Sequence, residues 1–188
     1  MGLNRVAKFV GIGIVLVVVI ILAGAGFVMY DVMSYTATGS QTLNPSGNVV
    51  GNALVVYDPG ITGTAKNASA VIANDLQAKG YKVTLAGIKS TEAATTSGYD
   101  VIVITGPVYG EKITNTVQSY LNALKPSENT KIGVLTTGGV QNTNDTVLIQ
   151  KEVNLPSGST FKIDDIMKLV SGNDVNKTTS EFVDSLLK

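Results

Sequence analysis

An uncharged apolar run from Phe9 to Tyr30, preceded by Arg5 and Lys8 and closed by Asp31, constrains this chain more than any other feature. At roughly 22 residues and about 1.5 Å per residue it crosses a hydrocarbon core about 30 Å thick, whereas the apolar region of a secretory signal needs only about 7–15 residues. Residues 9–30 are therefore read as a transmembrane anchor behind a short flank, residues 1–8. Ala23-Gly24-Ala25 carries the small-residue pattern of a cleavage site, which is the competing reading, but Phe27, Val28 and Met29 prolong the apolar run beyond it. Arg5 and Lys8 lie on one side of the run and the next basic residue is Lys66. That asymmetry puts the amino terminus inside and the following domain outside the cytoplasm.

The rest of the chain offers a narrow chemistry. Its 188 residues contain 14 basic and 14 acidic groups, and with Arg5 and Lys8 assigned to the anchor flank 14 − 2 = 12 basic groups remain against those 14 acids. Arg5 is the single arginine, and the lysines form no basic run, so nucleic-acid binding is not expected. Cys and His are both absent. This removes disulfides, thiolate nucleophiles, the usual zinc sites and imidazole bases, so any redox chemistry has to be carried by a bound cofactor. Adjacent Asp164 and Asp165 are read as dipole-favoured acids at a helix start rather than a metal pair.

Residues 31–51 turn polar and small, ending in Asn44-Pro45-Ser46-Gly47-Asn48, and read as a flexible linker outside the core. From residue 52 to residue 188 the pattern is that of one domain. Ala53-Leu54-Val55-Val56-Tyr57 has the continuous apolar character of a strand covered on both faces. A helix is expected from about Ala65 to Lys79, with Ala68, Ile72 and Leu76 inward and Gly80 as its stop. Strands follow near Lys82 to Leu85 and Asp100 to Thr105. A second helix buries Ile113, Val117, Leu121 and Leu124, and Ile132 to Leu135 is a further strand. Thr178 and Glu181 resemble a capping box opening a terminal helix that packs Phe182, Val183, Leu186 and Leu187. This alternation predicts an α/β fold, a doubly wound parallel sheet.

In such a sheet, ligands bind beyond the carboxyl ends of the strands, where loops run into helices whose free N–H groups attract anions. Three loops meet that description. Asp58 to Lys66 contains Gly60, Thr62, Gly63, Thr64 and Ala65; Gly106, Pro107, Val108, Tyr109 and Gly110 follow the third strand; Thr136, Thr137, Gly138 and Gly139 follow the fourth. The first suits a phosphate and the second offers an aromatic ring to a planar ligand.

With these motifs, the stretch from Ala53 to about Gly139 resembles the flavodoxin-like family. Thr62-Gly63-Thr64 is similar to that family's phosphate loop, and the run from Tyr99 to Gly110 is similar to its second flavin-contacting loop. The resemblance implies strand order 2-1-3-4-5 and an FMN cofactor. It also implies phosphate contacts from Thr62, Gly63 and Thr64, a flavin ring facing Tyr109 and its neighbours, and Thr137-Gly138 at the ring's border. Ala65 stands at a position where the family has a hydroxyl, and Pro59 and Gly60 where it has a serine. The function implied is that of a membrane-tethered electron carrier or flavin-dependent reductase component with a redox partner at the membrane. The alternative is a cofactor-free interaction domain on the same anchor.

Overall fold

The computed structural model describes residues 3–109, 112–138 and 159–188. The chain divides into two compact units, Met1–Tyr35 and Thr36–Lys188. The first is one helix, α1 (Leu3–Thr36), of 34 residues. Within it Phe9–Gly26 is long and apolar enough to cross a membrane, with a mean hydropathy of 2.9 and none of the 18 residues buried in the protein. Apolar on every side, this segment has no polar face to give to water. The helix continues past Tyr30 into the residues expected to form a linker, because nothing from Asp31 to Thr36 is Gly or Pro and the first such residue is Gly39.

In the second unit the elements run β1 (Ser40–Leu43), β2 (Gly51–Tyr57), α2 (Thr64–Ala78), β3 (Tyr81–Gly87), α3 (Thr91–Ala94), β4 (Val101–Tyr109), β5 (Lys112–Ile113), α4 (Asn115–Ala123), β6 (Lys131–Thr137), β7 (Asp165–Leu169) and α5 (Val175–Leu186). Strands β3, β2, β4, β6 and β7 are neighbours in that order and pair in parallel. Counting only these five in chain order, the sheet reads 2-1-3-4-5, as the resemblance implied. The direction of travel reverses at β2, so a crevice opens where the chain leaves β2 one way for β3 and β4 is laid down on the other side.

Alternation along β2 explains the two cores. Leu54 and Val56 join Ile102, Ile104, Ile132 and Val134 beneath Ala93, Val117 and Leu121. Ala53 and Val55 join Val101, Val103 and Leu135 beneath Ile72 and Leu76 of α2 and Phe182, Val183 and Leu186 of α5. Because both faces are covered, the central strands carry consecutive apolar residues, Ala53–Tyr57 and Val101–Ile104, rather than alternate ones.

Four expectations are corrected. Ser40–Leu43, inside the presumed linker, is a strand that pairs antiparallel with β3 in the register Ser40↔Ala86 to Leu43↔Val83, and Ala37 is buried in the core. Ile113 belongs to β5, and Thr114 caps α4, so the second helix starts two residues later than its apolar spacing suggested. Asp165 opens β7 and Asp164 precedes it, the latter accepting the Ile132 N–H at 2.9 Å, so the acidic pair lies at a strand and not at a helix start. The terminal helix begins at Val175, capped by the Asp174 side chain on the Lys177 N–H at 3.1 Å, with Thr178 already inside it. An Asp reaching N3 satisfies the first turn earlier than the threonine could.

Candidate functional site

Strand β2 ends with its ladder still running: the Asp58 N–H donates to the Thr105 carbonyl at 2.9 Å. Asp58 is 5 % exposed. One carboxylate oxygen accepts the Gly60 N–H at 3.3 Å and the other accepts the Thr114 hydroxyl at 2.8 Å. The Asp-Pro-Gly sequence is thus an Asx turn, in which the side chain takes the place of a backbone acceptor two residues before the donor. Gly60 sits at φ 62°. A Cβ there would stand 2.8 Å from Pro107 Cγ and 3.0 Å from Tyr109 Oη, so glycine is required for space as well as for conformation.

Gly63, at φ 71°, is the N-cap of α2 and provides no side-chain cap. The hydroxyls of Thr62 and Thr64 lie 2.8 Å apart, and Thr62 Oγ1 accepts the Thr64 N–H at 3.4 Å. The start of a 15-residue helix thus faces outward with polar hydrogens and no carboxylate in its first turn. An anion placed there meets the positive end of the helix dipole. Lys66 is exposed in that first turn. Ala65 is fully buried, main chain included. Behind it, the buried Ser69 and Thr105 hydroxyls bond one another, and Ser69 Oγ donates to the Ala65 carbonyl at 2.7 Å. This pins the first turn of α2 to β4.

The second loop departs from expectation. Gly106, Pro107 and Val108 are buried residues of β4, in register with Thr136 and Thr137 of β6 as far as Pro107, and Val108 pairs with Ile113 in a short hairpin. A Gly106 Cβ would stand 2.5 Å from Val117 Cγ2, so this glycine admits α4 rather than a ligand. Among the described residues of this group Tyr109 alone is exposed, at 47 %, and its hydroxyl accepts the Ile61 N–H at 2.9 Å. Gly110 lies outside the described residues. In the third loop Thr137 is the last residue of β6 and 3 % exposed, and Gly138, at φ 117°, donates its N–H to the Leu169 carbonyl at 3.1 Å. A Gly138 Cβ would stand 3.1 Å from the Val108 carbonyl oxygen.

The three loops therefore converge: Pro107 and Tyr109 lie on Gly60 and Ile61, and Gly138 lies on Val108. Two groups at this corner were not singled out from the sequence. Asp58 organises the turn, a role legible in the Asp-Pro-Gly pattern; Thr136 Oγ1 is buried without a hydrogen-bond partner among the described residues, which no sequence signal announces. A groove of about 630 Å³ lies elsewhere, between β7 and the start of α5, lined by Asp165, Met167, Lys168, Asp174, Lys177 and Glu181 among others.

A doubly wound sheet of this order with its loops gathered at the switch point is the flavodoxin-like fold. Solved structures similar to the chain include flavodoxins. The two-electron reduced flavodoxin of Megasphaera elsdenii is similar at 19 % identity and a TM-score of 0.50, over 71 % of this chain and 97 % of its own. Oxidised flavodoxin 2 of Bacillus cereus gives 14 % and 0.49, over 72 % and 97 %. A flavodiiron core from Synechocystis gives 13 % and 0.47 over 72 % of this chain, which spans about a third, 34 %, of that one. The Megasphaera flavodoxin match, at 19 % identity, speaks for the fold and not for the site residues. No protein-family model matches the chain, and no curated protein is recognisably similar to it in sequence.

Proposed function

We propose that the chain is a membrane-tethered flavodoxin-like protein whose domain binds FMN for electron transfer, as a carrier or as a component of a flavin-dependent reductase. The observation that carries this reading is the start of α2: Gly63 in the left-handed region, without a side-chain cap, beside the paired hydroxyls of Thr62 and Thr64 at the topological switch point. Thr62, Gly63 and Thr64 would hold the phosphate over the buried Ala65. The exposed ring of Tyr109 would lie against the isoalloxazine, with Thr137 and Gly138 at its border. FMN, when bound, supplies the electron chemistry; the chain's residues bind it, orient it and exclude water. With neither His nor Cys in the sequence, its surroundings would be tuned by amides, hydroxyls and the tyrosine. Anchoring through Phe9–Gly26, with the amino terminus inside on the strength of Arg5 and Lys8, would confine the domain near its redox partner.

The fit is partial. Two amides of the turn already have acceptors within the protein, Gly60 on Asp58 and Ile61 on Tyr109. This favours a second reading, in which the domain keeps the fold, holds no cofactor and serves as a tethered interaction module. Quenching of FMN fluorescence by the full-length protein in detergent separates the two. Saturable quenching that is lost in the Thr62→Ala/Thr64→Ala variant without loss of helical circular dichroism supports flavin binding. Fluorescence untouched by excess protein leaves the interaction module.

A further inference from the structure

The Tyr109 hydroxyl sits where a ligand anion would look for a donor. It accepts the Ile61 N–H at 2.9 Å, one residue before the Thr62-Gly63-Thr64 cradle, and comes within 3.0 Å of the place a Gly60 Cβ would take. It therefore lies over the turn rather than beside it. Tyr109 is also the last residue of β4, paired with Lys112 across the β4–β5 hairpin, and the residue is 47 % exposed. Next to it the Asp58 carboxylate holds the Gly60 N–H. Both neighbouring amides thus point at acceptors that belong to the protein.

We infer that Tyr109 is a specificity-determining residue whose hydroxyl is a resident acceptor in the anion cradle, one that a ligand's phosphate has to displace, so that the domain discriminates less in favour of phosphorylated over unphosphorylated flavin. This rests on the flavin-binding reading above. The phosphate exchanges one acceptor for another at Ile61 instead of meeting a free amide. Losing the gain of about one hydrogen bond lowers phosphate affinity roughly five- to tenfold. The Asp58 carboxylate facing the same turn acts in the same direction by charge. Riboflavin, which carries the ring system without the phosphate, meets no such competition.

Tyr109→Phe tests this, since phenylalanine keeps the ring and removes the acceptor. The measurements are the dissociation constants of FMN and of riboflavin for the full-length protein in detergent, and inorganic phosphate titrations followed by the amide resonances of residues 61 to 64. The expected result is a shift of the FMN-to-riboflavin affinity ratio of about five- to tenfold toward FMN, with riboflavin binding changed by less than about twofold and inorganic phosphate bound more tightly. An unchanged or reduced ratio overturns the inference, and would reduce the Tyr109–Ile61 bond to a structural tie visible only in thermal stability. If neither flavin binds either protein, the flavin reading fails on its own, and inorganic phosphate decides the role of Tyr109. Tighter binding by Tyr109→Phe sustains that role, and equal or absent binding in both proteins ends it.

Discussion

Thr114 and Asp58 share one hydrogen bond that joins two parts of the fold: the threonine hydroxyl donates to the carboxylate at 2.8 Å while its oxygen accepts the Val117 N–H at 3.4 Å. The same side chain starts α4 and fixes the acid that shapes the turn after β2. Thr114→Val removes the cap and leaves a carboxylate oxygen of the nearly buried Asp58 unpaired. A loss of about 1–3 kcal/mol in urea unfolding is expected, with Thr114→Ser recovering most of it.

Gly133 makes room for α5. A Cβ at this position would stand 2.6 Å from Phe182 Cζ and 2.8 Å from Leu186 Cδ2, both in side chains with almost no exposure. Neither can swing into solvent, so Gly133→Ala is expected to destabilise the domain by about 1–3 kcal/mol in chemical denaturation. A second substitution, Phe182→Leu, should recover part of that loss in the double variant, because it withdraws the atoms that the new methyl strikes.

Asp164 gives the acid limb of stability its sign. Burial, the largest single influence, raises its pKa, but the Lys162 hydrogen bond, the Ile132 N–H and the charges of Lys162 and Lys131 together bring it below 3.8. A carboxyl lowered on folding contributes stability that is fully present above its unfolded value and lost as pH falls through its folded one. Asp164→Asn should therefore unfold at a lower temperature than the parent at neutral pH. The two melting curves should approach one another as pH drops below about 4. A gap that persists or widens in acid would contradict this assignment.

What could be read from the residues depended on how each element is buried. Strands β2, β4 and β6 lie inside the sheet and announce themselves as unbroken apolar runs; α2 does so through Ala68, Ile72 and Leu76. The edges do not. Ser-Gln-Thr-Leu of β1 is mostly exposed, and Asp165–Leu169 of β7, the last strand of the sheet among the described residues, has charged residues at two positions, so neither carries a run or an alternation strong enough to see. Gly106 and Pro107 read as a turn, yet β4 runs through them, because the glycine lets α4 approach and the proline faces the Gly60 turn. At the site, residue types pointed to the Asp58–Lys66 turn, whereas Gly106–Val108 proved to be strand, and the Tyr109–Ile61 bond depends on how two segments approach in space and has no local signature.

The edge strand makes its own prediction. A soluble domain beginning at Thr36 keeps Ala37 and the β1–β3 pairing, and one beginning at Asn52 loses both. The shorter form is expected to be less stable by about 1–3 kcal/mol, from lost burial of Ala37 and Leu43 and an uncovered β3 edge. Equal denaturation midpoints for the two would count against β1 as part of the domain.

The anchor is tested on membranes. After alkaline carbonate washing the full-length chain should remain in the pellet, whereas release of a shortened protein would mark the apolar helix as a cleaved signal.

Because β1 is stitched into the sheet, residues 44–50 are a bridge between two strands rather than a leash on which a finished domain hangs. A protease that cuts there does not simply release the part beyond the cut; the severed ends stay side by side along β3, and departure requires unzipping Ser40–Leu43 from its partner. Shedding of an undamaged domain has to begin upstream of Ala37, at the close of α1.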